Sequence, residues 1–142
     1  MNISIQKKIT SILSKRSNIK FACIFGSALN NKTRYGSDLD IAIYFDTEPD
    51  ILTIGELALN LEKEVEKKID IIKLNNLDKS NPCLAYSVVS KGMVVYSADD
   101  NAFKEFKSSV MLNYLDFKYI REMFDVALNK RLSTNKFAVF DK

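Results

Sequence analysis

The chain has 142 residues, of which 46% are hydrophobic and 27% are charged, and its formal net charge is +3. This length and composition are typical of one globular domain with its own core, so we expect residues 1–142 to form a single domain. No apolar run is long enough to span a bilayer and the N-terminus lacks a signal-peptide pattern, so we expect a cytoplasmic protein without membrane contact. The dispersed basic residues argue against a nucleic-acid partner.

The chain contains no histidine. This excludes histidine-based catalysis and most zinc sites, so any general base must be a carboxylate. The two cysteines, Cys23 and Cys83, lie far apart in the sequence and have no metal-binding spacing. We expect them to be small buried hydrophobic residues rather than a disulfide.

Hydrophobic spacing and turn residues predict the elements in chain order. The predicted order is a helix over 2–16, strands over 19–25 and 38–45, a helix from about Ile54 to Val65, a strand over 69–74, a helix from Pro82 to Gly92, a strand over 93–96 and a long helix over about 100–131. This order predicts an α/β (α+β) fold, with a mixed sheet of about four strands and the helices on one side.

The long C-terminal helix carries an apolar stripe that includes Phe103, Phe106, Phe117 and Phe124. One interpretation is that the whole helix packs on the sheet. The other is that the stripe exceeds what one sheet can cover, so that part of it meets a partner or a second copy of the chain. The tail over 137–140 adds two aromatic residues that could dock on the same partner.

Gly26-Ser27 follows the first predicted strand, and Asp38-Leu39-Asp40 opens the second. Carboxylates two residues apart on a strand share one face and repel each other, and a divalent cation relieves that repulsion. Gly26 lets the backbone approach a phosphate, and Ser27 can donate hydrogen bonds to it. We therefore predict a phosphate-holding turn opposite a magnesium-holding strand; the alternative is an ordinary turn and a polar strand start.

Asp70 lies in the third predicted strand, where alternation places it on the side of Ile72 and opposite Ile69 and Ile71. A carboxylate among apolar neighbours should be paired or metal-bound. Asp70 is therefore a candidate metal ligand and the best candidate general base, and the alternative is an ion pair with Lys68 or Lys73.

The spacing of Gly26-Ser27 and Asp38-x-Asp40 resembles the signature of the DNA polymerase β-type nucleotidyltransferase superfamily. The small size is similar to the minimal nucleotidyltransferases that act as antitoxins to HEPN ribonuclease toxins. The motif core covers about residues 19–74. The resemblance implies the palm-like fold of that superfamily, ATP as substrate and Asp70 as the third carboxylate.

Two Mg²⁺ ions would suit this chemistry, with Asp38 and Asp40 bridging them. In the loop before these carboxylates, Arg34 could meet a phosphate or an acidic group of a partner, and Ser37 could orient Asp38. The alternative for Arg34 is an exposed loop position without a role.

The resemblance also implies an activity, the transfer of AMP from ATP to a tyrosine hydroxyl of a HEPN toxin, which silences the toxin. Because HEPN toxins rely on a catalytic histidine, the absence of histidine excludes a toxin of that class. Two other functions stay open. The chain could mask its toxin without catalysis, or it could modify a small molecule in the manner of aminoglycoside nucleotidyltransferases.

Overall fold

The computed structural model describes residues 3–25 and 39–133. Every helix and strand predicted in these ranges is present, and the mixed α/β architecture is confirmed. The elements are α1 (Ile3–Ser14), β1 (Ile19–Phe25), β2 (Leu39–Phe45), α2 (Ile51–Val65), β3 (Ile69–Lys73), α3 (Leu77–Ser80), α4 (Pro82–Lys91), β4 (Met93–Ser97) and α5 (Asp100–Ser133). The short α3 is not predicted, because one helical turn leaves no periodic pattern in the sequence.

The four strands form one mixed sheet in the order β3-β2-β1-β4. β1 is antiparallel to both β2 and β4, whereas β2 and β3 are parallel. The parallel pair is joined through α2, as parallel strands require a crossover connection. β1 and β2 are therefore the central strands, and the end of β1 lies beside the beginning of β2.

Helices cover both faces of the sheet, so the prediction of helices on one side is wrong. Alternating side chains of each central strand point to opposite faces, and both sets are mostly apolar. The α1–α2 core contains Ile9, Leu13, Ile41, Ile43, Leu57 and Leu61. The α4–α5 core contains Phe21, Cys23, Ala42, Ala85, Val88, Phe106 and Val110.

The helices α2 and α4 each begin at a residue whose side chain caps the helix. The Asp50 carboxylate accepts a hydrogen bond of 2.7 Å from the Thr53 backbone N–H. Hydrogen bonding to the Thr53 side chain and, to a lesser extent, to its backbone N–H lowers the pKa of Asp50. The Asn81 side chain accepts one of 3.2 Å from the Leu84 N–H, and Pro82 follows as the first helical residue. Both arrangements satisfy amide groups that have no partner within the helix.

α5 packs on the sheet only through its first half. Phe21 of β1 contacts Phe103 and Phe106 with ring centroids 5.2 and 5.8 Å apart, and it stacks on Tyr44. Val110 is the last fully buried residue of this helix. Beyond it Met111, Tyr114 and Leu128 are half-buried, and the other large apolar side chains are exposed. The helix therefore packs on the domain in one half and presents surplus apolar surface in the other. The predicted tail contact over 137–140 lies outside the described residues.

No helix within residues 3–25 and 39–133 is both long enough and apolar enough to cross a membrane.

Gly92 permits a close contact between the end of α4 and the end of β1. A Cβ atom on Gly92 would lie 2.3 Å from the Val88 carbonyl oxygen and 3.3 Å from that of Ile24. Both are backbone atoms, which cannot move aside without shifting the helix or the strand. The glycine therefore sets how β4 joins the sheet beside the last residues of β1.

We expect Gly92→Ala to lower the free energy of unfolding by about 1–3 kcal/mol, because the new methyl group overlaps backbone atoms. Urea denaturation of the full chain measures this change. The matched control is Gly55→Ala, since Gly55 lies in α2 and a methyl group added there would have no atom within 4 Å. That control should raise stability by about 0.5–1 kcal/mol. Equal effects of the two substitutions would contradict the close backbone contact that we assign to Gly92.

The two cysteines differ in accessibility, so one part of the expectation for them is wrong. Cys23 is buried in the α4–α5 core, and burial raises the pKa of its thiol to about 11. Cys83 is exposed on α4, and both thiols are free.

We expect a thiol-reactive chromogenic reagent at pH 8 to label one thiol per folded chain and two in urea, because the reactive species is the thiolate. Absorbance measures the labelling. The Cys83→Ser variant should lose all labelling in the folded state, and rapid labelling of that variant would show that Cys23 is accessible.

Candidate active site

The strand register brings the carboxylates of Asp40 and Asp70 together on one face. Asp40 is paired with Phe25 of β1 on one side and with Asp70 of β3 on the other. Paired residues on neighbouring strands point to the same face, so the three side chains form a row across the sheet. This is the α4–α5 face, because Ala42 has the same alternation as Asp40 and lies in that core.

Two hydrogen bonds secure the beginning of both acid-bearing strands. The Leu39 N–H donates to the Lys68 carbonyl oxygen at 2.8 Å. The Ile69 N–H donates to Glu62 Oε1 of α2 at 3.1 Å. Since these bonds hold the residues immediately before Asp40 and Asp70, they fix where both aspartates enter the sheet. Glu62 is a positioning residue that the sequence did not reveal, because its partner lies across a turn.

The two aspartates differ in exposure. Asp40 is half-buried and Asp70 is exposed. Burial therefore gives no reason for Asp70 to need a partner, contrary to the expectation from its apolar strand. Among the described residues its carboxylate forms no ion pair with Lys68 or Lys73, and Lys73 pairs instead with Glu48. The alternative of a structural ion pair for Asp70 is thus not observed, and this carboxylate faces solvent.

The remaining predicted site residues are Gly26, Ser27, Arg34, Ser37 and Asp38, and they lie outside the described residues. The described residues that flank this segment are Phe25 and Leu39, the first beside Asp40 across the strands and the second next to it in the chain. Within residues 3–25 and 39–133 no three acidic or cysteine side chains group as a metal site. The structure thus brings together two of the three predicted carboxylates.

Two carboxylates in one row, one exposed and one half-buried, provide the oxygen ligands that Mg²⁺ prefers. The pair therefore fits a divalent cation. Phe25, which the sequence did not single out, completes the row and packs against the α4–α5 core. Its position directly before Gly26 is the only signal in the sequence that could have indicated its place beside the carboxylates.

Apart from the row of aspartates, the same sheet face has a polar cleft of about 260 Å³ at its other end. It is lined by Lys20 and Tyr44 of the sheet and by Asp78 and Ser109 of the helices. Tyr44 is four residues along β2 from Asp40, a distance of about 13 Å. The Ser109 hydroxyl donates a hydrogen bond to Asp78, so the buried carboxylate of this cleft is already satisfied.

Comparison with known proteins identifies a family whose sequence pattern this chain matches. The sequence pattern of the family described as polymerase beta, nucleotidyltransferase matches residues 7–101. Protein adenylyltransferase MntA from Aphanizomenon flos-aquae is 28% identical over 121 residues, which are 78% of this chain and 79% of that protein.

Two solved structures have the same fold. A toxin–antitoxin crystal structure with AMP-PNP contains a chain with a TM-score of 0.72 and 20% identity, covering 87% of this chain and 97% of that one. The structure of the tri-AMPylated Shewanella oneidensis HEPN toxin in complex with MNT antitoxin contains another, with a TM-score of 0.67 and 20% identity. That match covers 87% of this chain and 95% of the other.

We expect Asp70→Asn to raise the free energy of unfolding by about 0.5 kcal/mol in the absence of divalent cations, because like charges in paired positions repel. Added Mg²⁺ should stabilise the native chain and have much less effect on this variant. Thermal denaturation with and without MgCl₂ measures both changes.

The control for this experiment is Asp116→Asn, which removes an exposed carboxylate from α5. This variant should respond to Mg²⁺ as the native chain does. An equal Mg²⁺ response of native chain and Asp70→Asn would remove Asp70 from the cation site.

Proposed function

We propose that this chain, which belongs to the polymerase beta family of nucleotidyltransferases, is an antitoxin that transfers AMP from ATP to a tyrosine hydroxyl of a HEPN toxin. The observation that carries the proposal is the register match of Asp40 with Asp70 on one sheet face, inside the matched range 7–101. The choice of substrates is supported by the adenylyltransferase name of a relative and by fold neighbours with AMP-PNP and an AMPylated HEPN toxin.

In the proposed site, Asp38, Asp40 and Asp70 would hold Mg²⁺, two ions in all. The bound metal would neutralise charge on the phosphates and activate the attacking hydroxyl. Gly26 and Ser27 directly follow Phe25 in the sequence, and Phe25 is the strand neighbour of Asp40. We assign Gly26 and Ser27 to binding the β- and γ-phosphates of ATP, which leave as pyrophosphate.

Arg34 and Ser37 precede Asp38 in the same segment of the sequence. We assign the Arg34 guanidinium to a phosphate group, whose two oxygens can accept two parallel hydrogen bonds from it. We assign Ser37 to orienting the neighbouring aspartate. Both assignments extend the site along the segment that joins β1 to β2.

The proposed reaction forms a bond between the tyrosine oxygen and the α-phosphorus of ATP. The bond from that phosphorus to the bridging oxygen of the β-phosphate breaks, and pyrophosphate leaves. Asp70 accepts the proton of the tyrosine hydroxyl, a role that suits an exposed carboxylate in a chain without histidine. In-line attack and charge neutralisation supply most of the catalysis in such transfers. Because the reaction consumes ATP, we place it in the cytoplasm.

The acceptor is a protein in this proposal because the chain carries exposed apolar surface suited to one. Phe117, Ile120 and Phe124 continue along α5 the side that is buried at Val110, but they are 41, 66 and 69% exposed. We call these three residues the sheet-side stripe and assign it to the toxin. Covering such a stripe is favourable in proportion to the apolar area removed from water.

The exposed stripe also favours a second candidate function, in which the chain masks its toxin without modifying it. The two functions predict different behaviour when the carboxylates are removed, because masking needs the stripe but not the row of aspartates. Modification of an aminoglycoside-like small molecule would need neither the toxin nor the stripe.

We expect Asp40→Asn and Asp70→Asn each to lower AMP transfer by at least about 100-fold, because each removes a charge that the transition state requires. The assay mixes the chain, Mg²⁺, ATP labelled in the α-phosphate and a purified HEPN protein from the same genome. Mass spectrometry then measures AMP on the HEPN protein and identifies the modified residue.

The control is Asp46→Asn, an exposed aspartate after the far end of β2, which should leave transfer unchanged. Both site variants should still co-purify with the HEPN protein. If the double site variant transfers no AMP and yet protects cells as well as the native chain, masking is the function. Absence of AMP on the HEPN protein with the native chain would refute the proposed activity.

A further inference from the structure

The second half of α5 has an apolar surface on two opposite sides. The sheet-side stripe is one of them. The other contains large side chains that share a second line along the helix, and we call it the outer seam: Leu112, Leu115, Tyr119, Met123 and Val126. At about 100° per residue, the centres of the two lines lie roughly 130° apart around the helix. All five outer-seam residues are exposed, Tyr119 by 64% and Val126 by 67%.

One flat partner surface cannot cover two opposite sides of a helix. Each apolar side that is left in water is unfavourable in proportion to its area, so each needs its own covering. The sheet-side stripe continues the protein's own core and is assigned to the toxin. The outer seam therefore needs a different covering. Most of α5 lies beyond residue 101, where the family match ends, so the shared nucleotidyltransferase core does not account for it.

We propose that the outer seam pairs with the outer seam of a second copy of this chain, with the two helices antiparallel. Leu112, Tyr119 and Val126 recur every seven residues, and Leu115 lies three residues after Leu112. This spacing is that of a helix pair with apolar a and d positions. A homodimer built on it uses neither the aspartate row nor the sheet-side stripe of either copy.

The direction of the pair follows from Glu122, the one acidic residue at an a or d position within 112–126. In a parallel pair, Glu122 would face the partner's Glu122, and like charges would meet in the interface. In an antiparallel pair, a positions face d positions. Glu122 then lies opposite the partner's Tyr119, whose hydroxyl can donate to the carboxylate, and Leu115 lies opposite the partner's Val126.

The charges beside the seam favour the same direction. Lys118 and Asp125 occupy the same heptad position one repeat apart and carry opposite charges. An antiparallel pair brings Lys118 near the partner's Asp125, and symmetry makes this contact twice. Within the described part of the chain neither residue forms an ion pair. Both are exposed, so they can be substituted without disturbing the core.

The first test is sedimentation equilibrium of the full chain without toxin. We expect a monomer–dimer equilibrium, with Lys118→Glu and Asp125→Lys each raising the dissociation constant on the order of tenfold, because each places two like-charge contacts in the dimer. The double variant should restore the native value, since its charges are again complementary. A chain that stays monomeric at all concentrations overturns the proposal and assigns the outer seam to another protein.

The second test determines direction by disulfide formation in a Cys83→Ser background, where the remaining Cys23 is buried. Leu115→Cys mixed with Val126→Cys should cross-link under mild oxidation, because those positions face each other in the antiparallel pair. Leu115→Cys alone should not, whereas a parallel pair would cross-link it and overturn the proposal. The matched control is Phe117→Cys on the sheet-side stripe, which should not cross-link. Circular dichroism confirms that each variant keeps its helix content.

Discussion

The whole arrangement depends on the register of β2 between β1 and β3. Side chains of a strand alternate between the two faces, so a slip of one residue would move Asp40 into the α1–α2 core and bring Ile41 to the other face. Both cores oppose that slip. Ile41 and Ile43 are fully buried against α1 and α2, while Ala42 is fully buried against α4 and α5. The hydrophobic effect on both faces therefore holds the carboxylate row in place, and the repulsion between the two acids is small beside it.

The same sheet face serves as core along most of its length and as a polar site at one end. Ala42 lies in the α4–α5 core and Ile72 packs against it, yet Asp40 and Asp70, two residues earlier on each strand, are half-buried and exposed. The change occurs within about 7 Å of strand. Carboxylates are tolerated there because solvent reaches them, and the rigid strands beneath fix their spacing.

α5 connects the part of the chain that carries the proposed AMP-transfer site to the exposed surfaces that we assign to partners. Its first half is held by the aromatic contacts of Phe21 with Phe103 and Phe106. The remainder continues as one regular helix to Ser133, about 51 Å from its start. Because a helix is stiff, the anchored half fixes the direction of the exposed half. A partner bound there would therefore be held in a defined position relative to the carboxylates.

The sequence by itself determined the strands, every helix except the single turn of α3, and the acid-bearing positions, because periodicity and turn chemistry act between residues close in the chain. It placed Asp70 on a strand and on the side of Ile72. Only the tertiary structure decided that Asp70 is the register partner of Asp40 and is exposed, that helices cover both faces, and that Val110 is the last fully buried residue of α5. Each of these depends on which distant segments pair and how far a neighbouring element extends. Local sequence patterns do not indicate which distant segments pair. An apolar residue has the same pattern in the sequence whether the surface that covers it belongs to the same chain or to another.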